Sequence, residues 1–157
     1  MTGAVVIDAS LAVMWASPEE LTEEALTLAT QWAQASVRFL APCLLVAEVT
    51  NALYRRTLRK ELDLSTAQAA LNVILAFSIE LLEEPGLPAR AMALAAELRQ
   101  PTTYDCHYLA LAEKYRCELW TGDRRFFNAV RRSVPTVRWV GEAKRRSSLL
   151  RPSGPEE

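Results

Sequence analysis

The stretch AVVIDAS, residues 4–10, decides the reading of the fold. Ala4, Val5, Val6 and Ile7 form a short unbroken apolar run with β-branched members, the pattern of a strand buried on both faces. The run stops at Asp8, and Ser10 is placed to cap a helix beyond it. Working outward, Pro18-Glu19-Glu20 opens a helical segment in which Leu21, Ala25, Leu28, Ala29 and Trp32 recur at helical spacing, with acids in the first turn to suit the helix dipole. Val37 to Leu40 predicts a second strand. Ala41-Pro42 then punctuates the chain before a helix from about Cys43 to Leu58, and a third helix is expected from Ser65, as its N-cap, to about Leu75.

The alternation continues to the end of the ordered pattern. Phe77 to Leu81 alternates apolar and polar residues as a strand does, and Pro85-Gly86 closes it. Pro88 to Arg99 is helical by its Ala and Leu content, and Pro101 stops it. Thr102 or Thr103 can cap a helix from about Tyr104 to Tyr115. Glu118 to Thr121 reads as a strand, Gly122-Asp123 as a turn into a helix ending near Val130, and Val137 to Val140 as a last strand. Strands alternating with helices predict an α/β fold, a mainly parallel sheet with helices on both faces. One domain is expected over residues 1–141. Residues 142–157 read as a tail, basic at Lys144-Arg145-Arg146 and rich in Pro and Gly at its end, frayed and partly disordered.

Composition narrows the function classes. With 157 residues, half of them hydrophobic and 24% charged, the chain is long enough for a real core, and wholesale disorder is excluded. Eighteen basic residues against nineteen acidic leave a net charge of −1, so bulk charge does not mark a nucleic-acid binder. All the basic residues except Lys60, Lys114 and Lys144 are arginine, whose planar fork suits phosphate and carboxylate. Cys43, Cys106 and Cys117 are odd in number and lack CxxC spacing, so neither a disulfide framework nor a zinc site is expected; they read as small buried residues of a cytoplasmic protein. No membrane-spanning or export signal is read.

Ligands of open parallel sheets bind beyond the carboxyl ends of the strands, where strand order reverses. Asp8 and Asp123 fall at such ends, although turns and helix caps also favour aspartate. Glu48 has Leu44, Leu45, Asn51 and Ala52 three and four residues away, so it projects from a largely apolar stripe and needs a cation or an arginine to offset its desolvation. Asp105 suits the first turn of its helix through the dipole, yet shares a face with Leu109 and Ala112 and so points inward. Acids converging on one cleft repel each other unless a divalent cation turns repulsion into coordination. His107, the only histidine, reads as a capping or partner-facing residue. Trp15, Trp32, Trp120 and Trp139 read as core.

VVIDAS at 5–10, APCLLVAEVTNALYRR at 41–56 and TTYDCHYLALAEKYRCELWTGDRRF at 102–126 together resemble the PIN-domain nucleases, most closely the small VapC-type toxins of prokaryotic toxin–antitoxin pairs. The likeness reaches to about Val140. Cys106-His107 stands where smaller or apolar residues are common, and the tail runs past the usual end. The resemblance implies a PIN-like three-layer sandwich and a metal-dependent endoribonuclease that uses Mg²⁺ or Mn²⁺ and leaves a 5′-phosphate and a 3′-hydroxyl. It matches Asp8, Glu48, Asp105 and Asp123 to an acidic quartet of catalytic metal ligands. Ser10, Thr121 and Asn51 match polar neighbours that hold those ligands. Arg124 and Arg125, beside Asp123, are the best candidates for contact with the RNA backbone; Arg55, Arg56, Arg59, Arg131 and Arg132 form further basic clusters that read equally as solvated faces or contacts to a partner. A homodimer and a cognate antitoxin are implied, with operator DNA reached only through the antitoxin. The alternative is a PIN-fold binding module acting mainly in an antitoxin–DNA repressor complex. An Asp-x-Asp phosphatase is disfavoured because Ala9 and Ser10 follow Asp8.

Overall fold

A computed structural model describes residues 3–143. Five strands form one sheet: β1 (Ala4–Ile7), β2 (Arg38–Pro42), β3 (Ile79–Leu82), β4 (Glu118–Thr121) and β5 (Val137–Trp139). Their order is β3-β2-β1-β4-β5, and every pairing is parallel. The sheet is therefore wholly parallel where the sequence predicted mainly parallel. Chain order runs outward from β1 to β2 and β3 on one side and resumes at β4 and β5 on the other. The reversal lies between β1 and β4, where Val6 pairs with Leu119 and Ile7 with Trp120. In open parallel sheets such a point, beyond the strand ends, is where ligands bind.

The helices are α1 (Ala9–Met14), α2 (Thr22–Gln34), α3 (Leu44–Leu58), α4 (Leu64–Ala76), α5 (Leu87–Glu97), α6 (Tyr104–Tyr115) and α7 (Arg124–Val130). Central strands are covered on both faces, which is why β1 reads Val5, Val6, Ile7 with all three buried. Helices α1 and α2 cover the face from which Phe39 and Trp120 project. There Trp32 meets both rings edge-on at 5.9 and 5.5 Å, and Trp15 stacks on Phe77 at 4.6 Å. Helix α6 packs on β1, β2 and β4 and carries α5 outside it. Arg90 reinforces that outer pair by reaching Glu113 and Glu97, although exposed ion pairs contribute little individually.

Several local expectations are corrected. Asp8, not Ser10, caps α1, accepting from the Leu11 amide at 3.0 Å, and Ser10 lies inside the helix. Asp63, not Ser65, caps α4 through the Thr66 amide. Thr103 occupies the N-cap of α6 without a side-chain cap bond. Cys43 is exposed, Cys117 partly so, and only Cys106 is buried. Tail residues 144–157 lie outside the described residues. Among the described residues no helix is long and apolar enough to cross a membrane.

Gly141 follows β5 and lies flat against the Trp139 indole; a Cβ there would sit 2.2 Å from ring atom Cη2. A rigid ring cannot yield as a flexible side chain does. Gly141→Ala is expected to cost about 1–3 kcal/mol through overpacking, read as a lower urea midpoint with altered tryptophan fluorescence. An unchanged midpoint would show that the ring has room to move.

Candidate active site

Two loops meet at the crevice between β1 and β4, and hydroxyls staple them together. Ser10 Oγ donates to Asp8 Oδ1 at 2.7 Å and accepts from the Gly122 amide at 2.9 Å. It also lies 3.3 Å from Thr121 Oγ1, which accepts from the Asp123 amide at 2.9 Å. Ser10 and Thr121 thus tie the two loops together through their hydroxyls. Gly122 allows the close approach: a Cβ would stand 2.5 Å from the Met14 methyl and 3.2 Å from the Ser10 backbone.

Each acid reaches the cleft from a different element. Asp8 ends β1 and is 5% exposed. Asp123 caps α7, its Oδ1 accepting from the amides of Arg125 at 2.9 Å and Phe126 at 3.1 Å. Both aspartates are therefore helix caps, and the charge of Asp123 is felt by Asp8. Asp105 stands in the first turn of α6 and accepts no hydrogen bond among the described residues. Glu48 is half-buried on α3 and forms no ion pair with an arginine among the described residues. Its Oε1 instead accepts from the hydroxyl of Tyr108 at 2.7 Å. Asn51, one turn further along α3, is exposed.

The charges of these residues are felt in common. Burial raises Asp8 to about 6, against hydrogen bonds from Thr121, Ser10 and the Leu11 amide that lower it, with Asp123 adding repulsion. Asp105 rises to about 7, first through desolvation and then through the negative charges of Asp8, Asp123 and Glu48, with Arg125 opposing. Four acids from separate stretches therefore share one electrostatic environment. Tyr108, which sequence reasoning missed, belongs to the same environment: burial and then the charge and hydrogen bond of Glu48 hold its phenol far above the ordinary range. Its position one turn after Asp105 is the signal that could have revealed it.

Among the described residues, no three His, Cys, Asp or Glu side chains stand close enough to close around one ion. The donor set nevertheless fits a hard divalent cation. It is all carboxylate and hydroxyl oxygen, without thiolate or imidazole, and Mg²⁺ retains water in its shell and so needs few direct protein ligands. Directly after Asp123, Arg124 and Arg125 are exposed on the first turn of α7. The Arg124 guanidinium lies over the Trp139 ring at 5.1 Å, a contact that restrains a flexible cation. Of the other arginines, Arg56 is occupied by Ser17 and Glu19, and Arg59 by Glu61. His107 hydrogen-bonds through Nδ1 with the Thr103 carbonyl at 2.7 Å, a role at the helix start.

Because the shifts of Asp8 and Asp105 are upward, the folded chain holds these protons more tightly than the unfolded chain. Their stabilising contribution is complete below about pH 4 and is lost as pH rises through about 6 and about 7. Glu61, Asp63, Glu80 and Glu84 are shifted downward, and their opposite contribution is complete by about pH 5. The metal-free melting temperature is therefore expected to fall between about pH 5 and 7.5, and Asp105→Asn should flatten the decline. A flat or rising wild-type profile would contradict the placement of these acids.

The model for the PIN domain family matches residues 5–132. The fold is similar to the crystal structure of PAE2754 from Pyrobaculum aerophilum, with a TM-score of 0.65 and 23% identity over 94% of this chain and 99% of that one. It is also similar to VapBC2 from Rickettsia felis, crystallised bound to a DNA fragment from its promoter, with a TM-score of 0.62 and 13% identity over 87% of this chain and 96% of that one. No curated protein matches the chain significantly.

Proposed function

Because the chain belongs to the PIN domain family, we propose that it is a Mg²⁺- or Mn²⁺-dependent endoribonuclease, the toxin of a VapBC-type toxin–antitoxin pair. The observation that carries the reading is the shared field at Asp105, where the charges of Asp8, Asp123 and Glu48 add to the cost of burial. Such repulsion is costly to keep unless a cation relieves it, and hard oxygen donors suit the ions that serve phosphodiester hydrolysis.

Asp8, Glu48 and Asp105 would hold the ion directly or through water, with Asp123 completing the site or holding a second ion. When bound, the ion lowers the pKa of water and offsets charge on the scissile phosphate. Ser10 and Thr121 keep Asp8 and Asp123 in register through their hydrogen bonds across the two loops. A carboxylate left free of the ion accepts the proton of the attacking water and orients it toward phosphorus. Arg124 and Arg125 bind flanking phosphates, and the Trp139 ring beneath Arg124 limits the entropy lost when it engages. Asn51 is the outermost member of the set and orients water or a phosphate at the rim.

The likeness to VapBC2 supports an antitoxin partner and promoter DNA reached through that partner; a homodimer and action in the cytoplasm are proposed with them. The rival, a binding module without catalysis, predicts normal complex formation and no cleavage by the isolated chain. Incubating the purified chain with RNA and Mn²⁺ or Mg²⁺ separates the two. Cleavage should require the ion, stop with chelator, and fall in Asp8→Asn by more than the roughly 100-fold that follows loss of a group supporting a ligand. The same variant should melt no lower than wild type without metal, since it removes a repelling charge. Ion-independent cleavage, or full activity in Asp8→Asn, would defeat the proposal.

A further inference from the structure

Tyr108 is 1% exposed, yet its hydroxyl reaches out of the layer of α6 to α3 and donates to Glu48 Oε1 at 2.7 Å. Asp105 and Tyr108 are three residues apart on α6 and so share a face. One turn of helix therefore presents two groups to the cleft, a carboxylate and a neutral donor aimed at the carboxylate of another helix. A phenol this deep needs an acceptor, because stranding it costs its desolvation. Glu48 is the acceptor that the structure supplies. The hydrogen bond holds Glu48 by Oε1 and with it the orientation of the whole carboxylate.

We infer that Tyr108 is a positioning residue for Glu48, fixing the rotamer in which its carboxylate is offered to a cation beside Asp8 and Asp105. The inference rests on the proposed nuclease function. The phenol itself touches neither RNA nor ion. It acts by removing freedom from Glu48, as groups behind metal ligands do.

Tyr108→Phe removes only the hydroxyl and keeps the buried ring. Mn²⁺ affinity, by electron paramagnetic resonance of the full chain, and kcat and KM on a defined RNA are measured for wild type, Tyr108→Phe, Glu48→Ala and the double variant, well below all their melting temperatures. Tyr108→Phe is expected to weaken Mn²⁺ binding about 10-fold and to lower kcat with KM for RNA unchanged. Added to Glu48→Ala, it should cost less than about twofold, because the residue through which it acts is gone. Unchanged Mn²⁺ binding in Tyr108→Phe, or an equal loss in both backgrounds, would overturn the inference and leave the hydroxyl a purely structural group. A lowered melting temperature with unchanged affinity would do the same. Wild type that neither binds Mn²⁺ nor cleaves RNA defeats the functional reading and this inference with it, whereas wild type that binds beside an unaltered Tyr108→Phe defeats this inference alone.

Discussion

Asp8 ends the central strand of the sheet almost wholly out of water, and the surroundings of the cleft are organised around that one carboxylate. Its place is dictated by topology: β1 lies between β2 and β4, so its carboxyl end opens into the crevice where the chain's direction of winding reverses. A carboxylate there loses solvent and must gain donors. The Leu11 amide and the Ser10 hydroxyl supply them, and Ser10 in turn holds Gly122. The bonds that solvate Asp8 thereby lock the β4 loop and bring Asp123 to the same place.

That arrangement satisfies part of the charge and leaves the rest in tension. Asp123 is satisfied by amides at the start of α7, and Glu48 by the phenol of Tyr108. Asp105 has neither, and its raised pKa records burial beside three other acids. An apolar residue at that position would be better for stability alone. Retaining a repelling carboxylate makes physical sense where a divalent cation completes the set, and the fold is then most stable in its working state. Arg125 tempers the field from the rim without closing the cleft.

Local signals carried much of this. The unbroken apolar run before Asp8, the Thr121-Gly122-Asp123 turn and the apolar neighbours of Glu48 all pointed to strands and helices that the structure contains. The acids that the sequence singled out do share a field. Competing caps misled at finer scale, because Asp8 and Ser10, or Asp63 and Ser65, are chemically equivalent choices until the backbone decides. Helix ends were blurred for a different reason: Ser36, Lys60, Arg99 and Arg116 take positive φ after α2, α3, α5 and α6, positions usually marked by glycine. The bond between Tyr108 and Glu48 joins residues sixty apart, and Arg56 reaches Glu19 across thirty-seven. No periodicity encodes such meetings, which depend on how whole helices settle against the sheet.

The central claim is that repulsion among Asp8, Glu48, Asp105 and Asp123 is relieved by one kind of ligand, a hard divalent cation. Thermal melting of the metal-free chain near neutral pH, titrated with Mn²⁺ or Mg²⁺, tests it most directly, since a ligand that binds only the folded state raises the melting temperature with its concentration. A progressive rise is predicted in the wild type and none in the Asp8→Asn, Asp105→Asn double variant. No rise in the wild type, or the same rise in both proteins, would contradict it.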